Sequence, residues 1–113
     1  MTDKELLELA AKAAGIELHW NAAGTPTVPY YFSEEGEAAD WNPLVDDGDA
    51  LRLAVKLKIK VGPDFGTTFD VVMAYTDPND KQIMIAERSG VDPYAATRRA
   101  IVRAVAEIGK EMK

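Results

Sequence analysis

The chain has 113 residues, enough for one hydrophobic core but too few for two independent ones. Apolar residues make up 47% and charged residues 28%, a globular composition that excludes wholesale disorder. The absence of cysteine excludes a disulfide framework, a thiolate metal site and a cysteine nucleophile.

The net charge of −6 argues against nonspecific nucleic-acid binding, whose affinity comes mainly from Lys and Arg neutralising phosphates. That charge is unevenly spread. Residues 1 to 50 carry eleven acids against two bases, while residues 51 to 113 carry eight acids against eleven bases. An acidic face left after folding would suit a basic partner, or would serve only to keep the chain in solution. Met1 is followed by polar residues, and no apolar run approaches a signal-peptide core or a membrane span. The expectation is a cytoplasmic protein without membrane contact.

Thr2, with Glu5 three residues on, forms a capping box, and Gly15 stands where a left-handed C-cap belongs. This predicts a helix over 3–14 with Leu6, Leu9, Ala10 and Ala13 inward and Leu7 and Ala14 widening the stripe. Ile16 to Trp20 alternates and reads as a short strand. The Gly24, Pro26 and Pro29 stretch is a loop, Tyr30 to Phe32 could add an edge strand, and residues 33–40 read as acidic, irregular and partly disordered. Asp46 or Asp47 caps a second helix over 47–58, with Ala50, Leu51, Ala54, Val55 and Leu57 inward. Residues 58–65, with Gly62 and Pro63, read as a connection, although 57–61 alternates and could instead be strand. Residues 67–76 and 81–88, joined by Asp77-Pro78-Asn79-Asp80, form a hairpin. Asp92 and Pro93 open a third helix over 93–111 with Tyr94, Thr97, Ile101, Ala104, Val105 and Ile108 inward, and with Arg103 and Glu107 placed to pair.

These elements predict one α+β domain. Its sheet is small and antiparallel, with three or four strands, and because residues 71–74 are apolar on both faces, helices cover both sides as an α/β/α sandwich. Trp41-Asn42-Pro43, the Asp46-Asp47-Gly48-Asp49-Ala50-Leu51 helix start, and Asp92-Pro93-Tyr94-Ala95-Ala96-Thr97-Arg98-Arg99 resemble the phage "ABA sandwich" domain family. The likeness covers residues 41 to about 109. It implies the same fold and a phage-encoded accessory role in the host cytoplasm, and it carries over no catalytic residue.

His19, the single histidine, could serve a catalytic triad or simply lie exposed beside Trp20. Ser33 and Ser89 have no nucleophile motif about them. Asp46, Asp47 and Asp49 could ligate a hard cation, but acids are wanted at a helix start in any case. The leading expectation is therefore a nonenzymatic protein without cofactor or metal. It would bind a host protein as an inhibitor or modulator through Glu34, Glu35, Glu37, Asp40 and Trp41. The alternative is a nucleotide or small-molecule site built from Trp20, Tyr30, Tyr31, Arg98 and Arg99, in which an Arg pair at a helix start holds phosphate. Ion pairing of these arginines with Asp46, Asp47 or Glu87 competes with that role. A homodimer is compatible with the pattern but not demanded by it.

Overall fold

A computed structural model describes residues 1–20, 29–64, 71–76, 83–88, 90 and 92–112, without the side chains of Pro63 and Asp64. The Gly24–Pro26 loop, residues 67–70, the Asp77–Asp80 turn and Ser89 lie outside these described residues.

Three helices form where the capping chemistry places them: α1 (Asp3–Ala14), α2 (Asp47–Leu57) and α3 (Pro93–Glu111). The Thr2 hydroxyl oxygen accepts the Glu5 N–H at 3.1 Å and donates to the Glu5 carboxylate at 3.2 Å. At the other end of α1, Gly15 adopts φ 72°, the left-handed conformation that glycine takes without a Cβ clash. Asp46 is the cap of α2, accepting the Asp49 N–H at 2.8 Å, and Asp92 caps α3 by accepting from Tyr94 and Ala95 at 3.1 Å each.

The strands divide into two antiparallel sheets of three rather than one. Sheet one runs β1 (His19–Trp20), β2 (Pro29–Phe32), β3 (Ala38–Asp40), and sheet two runs β4 (Lys60–Asp64), β5 (Val71–Tyr75), β6 (Met84–Arg88). Tyr30 to Phe32 is thus a central strand and not an edge. Residues 33–40 are ordered by it: Ser33 N–H donates to the Glu37 carbonyl at 2.8 Å, and Gly36 N–H to the Ser33 carbonyl at 2.9 Å. Gly36 closes this turn at φ 83°. Residues 60–64, expected within a connection, instead pair with β5 as β4, and β5 with β6 forms the expected hairpin, Met73 opposite Ala86.

The core lies around α3, which packs on α1, α2, β5 and β6. Ala96, Ala100, Ala104, Val102, Val105, Ala106 and Gly109 are all buried. Small residues on α3 and at Ala10, Ala11 and Ala14 of α1 let the two backbones approach closely. On β5, Val72 and Ala74 are buried whereas Val71, Met73 and Tyr75 are half-buried, so the two faces of the strand differ in cover.

Two helix faces differ from the expected ones. On α2 the buried residues are Asp49, Ala50, Leu53 and Ala54, while Leu51 and Val55 are 63% and 70% exposed. Tyr94, expected inward, is 71% exposed. Both helices carry apolar residues around much of their circumference, and long-range packing selects which arc is covered.

Candidate protein-binding surface

Sheet one has two chemically distinct faces, set by the two-residue alternation of its strands. Trp20 lies opposite Pro29, and Tyr31 opposite Ala39. Trp20 and Tyr31 pack against the core, and Pro29 is fully buried. On the other face, His19 lies opposite Tyr30, Tyr30 opposite Asp40, and Phe32 opposite Ala38. Residues directly opposite one another in an antiparallel pair share a face, so His19, Tyr30, Phe32 and Asp40 are neighbours.

The three rings form a compact aromatic platform. His19 stacks on Tyr30 at 5.4 Å between centroids, and Phe32 meets both edge-on at 5.2 and 5.7 Å. These are favourable quadrupole geometries. Phe32 is nevertheless 54% exposed. Exposed carboxylates lie along the same strands: Glu34, Glu35 and Glu37 in the turn that follows Phe32, Asp40 opposite Tyr30, and Glu17, whose carboxylate lies 3.9 Å from the His19 Nε2. Aromatic faces and carboxylates both attract cations, especially a planar guanidinium that can stack and hydrogen-bond together.

Trp41 is not part of this surface. It is 4% exposed, with its N–H donating to the Pro29 carbonyl at 3.1 Å. The Trp41-Asn42-Pro43 phrase is instead a brace. Asn42 N–H donates to the Asp49 carboxylate at 3.0 Å, the Asn42 side-chain oxygen accepts from Leu44 at 3.1 Å, and Pro43 is fully buried. The second Asp49 oxygen accepts from Arg52. That hydrogen bond, joined by the charges of Asp49 and Asp46, holds the Arg52 guanidinium above its ordinary pKa against opposing desolvation. Asp46, Asp47 and Asp49 therefore each have a structural partner: a helix N–H, Arg98 and Arg52 respectively. Among the described residues no group of three or more His, Asp and Glu side chains is placed to hold a metal.

The arginines diverge. Arg98 donates from Nε to the Leu44 carbonyl at 2.9 Å and from its terminal nitrogen to Asp47 at 2.6 Å, which ties the brace to α3. Arg99 turns the other way, to Asp3 at 3.1 Å and Glu87 at 3.7 Å. Arg103 pairs with Glu87 at 2.6 Å, and Glu107, expected to pair with Arg103, accepts from Lys110 at 3.1 Å. Arg98 lines a groove of about 380 Å³ with Leu51 and Tyr94, whereas Arg99 lines a separate one of about 350 Å³ with Glu87 and Arg103. Trp20 borders a third hollow beside Lys4, whose ammonium sits 5.4 Å over its ring. Tyr30 belongs to the outer platform and Tyr31 to the inner face. The five residues of the alternative ligand site are therefore dispersed rather than convergent.

Two platform members lie outside the expected binding residues: His19, expected as a catalytic or merely exposed histidine, and Phe32, expected only as part of an edge strand. The available signal was the i, i+2 spacing of Tyr30 and Phe32; the pairing of β1 with β2, which adds His19, is a long-range event. No family model, curated protein or solved structure compared with this chain matches it. Among the described residues no helix is long and apolar enough to cross a membrane.

Proposed function

We propose that this chain is a nonenzymatic binding protein whose outer sheet-one face captures a basic segment of another protein. The observation that carries this reading is the part-exposed His19–Tyr30–Phe32 platform, flanked along its strands and turn by the exposed acids Glu17, Glu34, Glu35, Glu37 and Asp40. Binding hot spots are typically aromatic anchors at the centre of a patch, with a charged rim that steers association. The ring cluster is the anchor and the carboxylates are the rim. The likeness of residues 41 to about 109 to the phage "ABA sandwich" domain supports a phage-encoded accessory role, with a host protein as the target and modulation of that target as the outcome.

Fluorescence anisotropy with Arg- and Lys-rich peptides tests the reading. Binding should weaken steeply between 50 and 500 mM salt, because the rim charges are solvent-exposed. Charge reversal of Glu34, Glu35, Glu37 and Asp40 to Lys should abolish it. Equal affinity of the wild type and this quadruple variant would overturn the proposal.

A further inference from the structure

A second exposed surface, on the opposite chemistry of α2, is unexplained by peptide capture. Leu51 and Val55 are four residues apart on a helix and so stand on one stripe, yet they are 63% and 70% exposed. Tyr94, 71% exposed, lines the same groove as Leu51. Three large apolar side chains so exposed on one face form a patch of the kind that marks an interaction site.

The charge pattern along the stripe identifies the occupant. Four residues before Leu51 stands Asp47, whose side chain is 71% exposed although it pairs with Arg98. Three residues after Val55 stands exposed Lys58, the C-cap of α2. At 100° per residue, Asp47, Leu51, Val55 and Lys58 fall within one narrow arc, acid at the N-terminal end and base at the C-terminal end, about 16 Å apart along the axis. A stripe reading acid, apolar, apolar, base is its own complement when run antiparallel. A two-fold axis near residue 53 brings each Asp47 to the other chain's Lys58, covers Leu51 and Val55 with their counterparts, and opposes the helix dipoles favourably.

We propose that the partner of this face is a second copy of the chain, docked as an antiparallel α2–α2 homodimer with Tyr94 at its margin. This is a surface separate from the peptide-capturing face, so one dimer would present two copies of the aromatic platform.

Sedimentation equilibrium of the full chain reads the association directly. The wild type should move from monomer to twice the monomer mass with rising concentration. Leu51→Asp and Val55→Asp should each raise the dimer dissociation constant at least tenfold while leaving the circular dichroism spectrum and melting of the monomer unchanged. Asp47→Lys and Lys58→Asp should each weaken self-association, and an equimolar mixture of these two should recover it as a heterodimer, since each chain then meets the opposite charge at both ends. A wild type that stays monomeric to millimolar concentration overturns the proposal. So does a dimer that is indifferent to Leu51→Asp, or single charge variants that the mixture fails to rescue.

Discussion

Gly109 of α3 lies directly against the backbone of Leu9 in α1: a Cβ at residue 109 would stand 2.1 Å from the Leu9 carbonyl oxygen. The obstacle is main chain in a helix rather than the end of a side chain, so it cannot swing away.

Gly109→Ala is accordingly expected to destabilise despite the helix propensity gained. Alanine contributes about 1 kcal/mol over glycine in a helix interior, while forcing an extra methyl into a packed crossing costs about 1–3 kcal/mol and here displaces a backbone. A net loss of up to about 2 kcal/mol, toward the upper end because backbone must move, should appear as a lower urea midpoint with unchanged slope. A gain in stability would mean that the helices are not in contact at this point.

Asp49 gives a graded test of the brace. Its side chain is only 10% exposed and serves both Asn42 N–H and Arg52. Asp49→Ala strands the Asn42 donor and should cost about 1–3 kcal/mol, whereas Asp49→Asn keeps a neutral acceptor and should cost less. Equal losses would show that Asn42 contributes nothing.

Arg98 and Arg99 are adjacent but should differ in consequence. Arg98, 17% exposed at its side chain, fixes the Leu44 carbonyl, so Arg98→Ala is expected to cost about 1–2 kcal/mol. Arg98→Lys should recover only part of this, because an ammonium cannot reproduce the guanidinium's fork. Arg99 is 42% exposed and its partner Asp3 66%, so Arg99→Ala should shift stability by less than about 0.5 kcal/mol. Paired thermal melts of the variants measure the contrast.

Phe32→Ser separates binding from folding. With 54% of Phe32 exposed, its loss should cost less than about 1 kcal/mol of stability through the weakened ring contacts, yet reduce peptide affinity at least tenfold. Anisotropy titration beside a melting curve distinguishes the two effects.

The caps were legible because each acts within a few residues. Thr2, Gly15, Asp46, Asp92 and Pro93 all stand where the spacing of donors and acceptors puts them. The acidic rim at residues 34–40 was legible as charge. The orientation of α2 was not, because Leu51 and Val55 make as good an apolar stripe as Leu53 with Ala50 and Ala54. An aromatic beside acids looks the same in a sequence whether its ring faces water or the core, and Trp41, beside Asp40, faces the core.

The three helices, both ends of α1 and α3, the start of α2, the pairing of β5 with β6 and the acidic character of the first half are written locally in the sequence; the expected helix over 47–58 stops at Leu57, where Lys58 turns left-handed as its cap. These follow from hydrogen bonds and side-chain periodicities confined to a few neighbouring residues. The tertiary structure alone decided that the strands divide into two sheets, that His19 joins Tyr30 and Phe32, that Trp41 is buried, and that Arg98 and Arg99 part company. Arg98 meets Leu44 across 54 positions and Arg99 meets Asp3 across 96. Contacts at such separations depend on how whole faces pack, and no local pattern encodes which of two equally apolar faces will be covered.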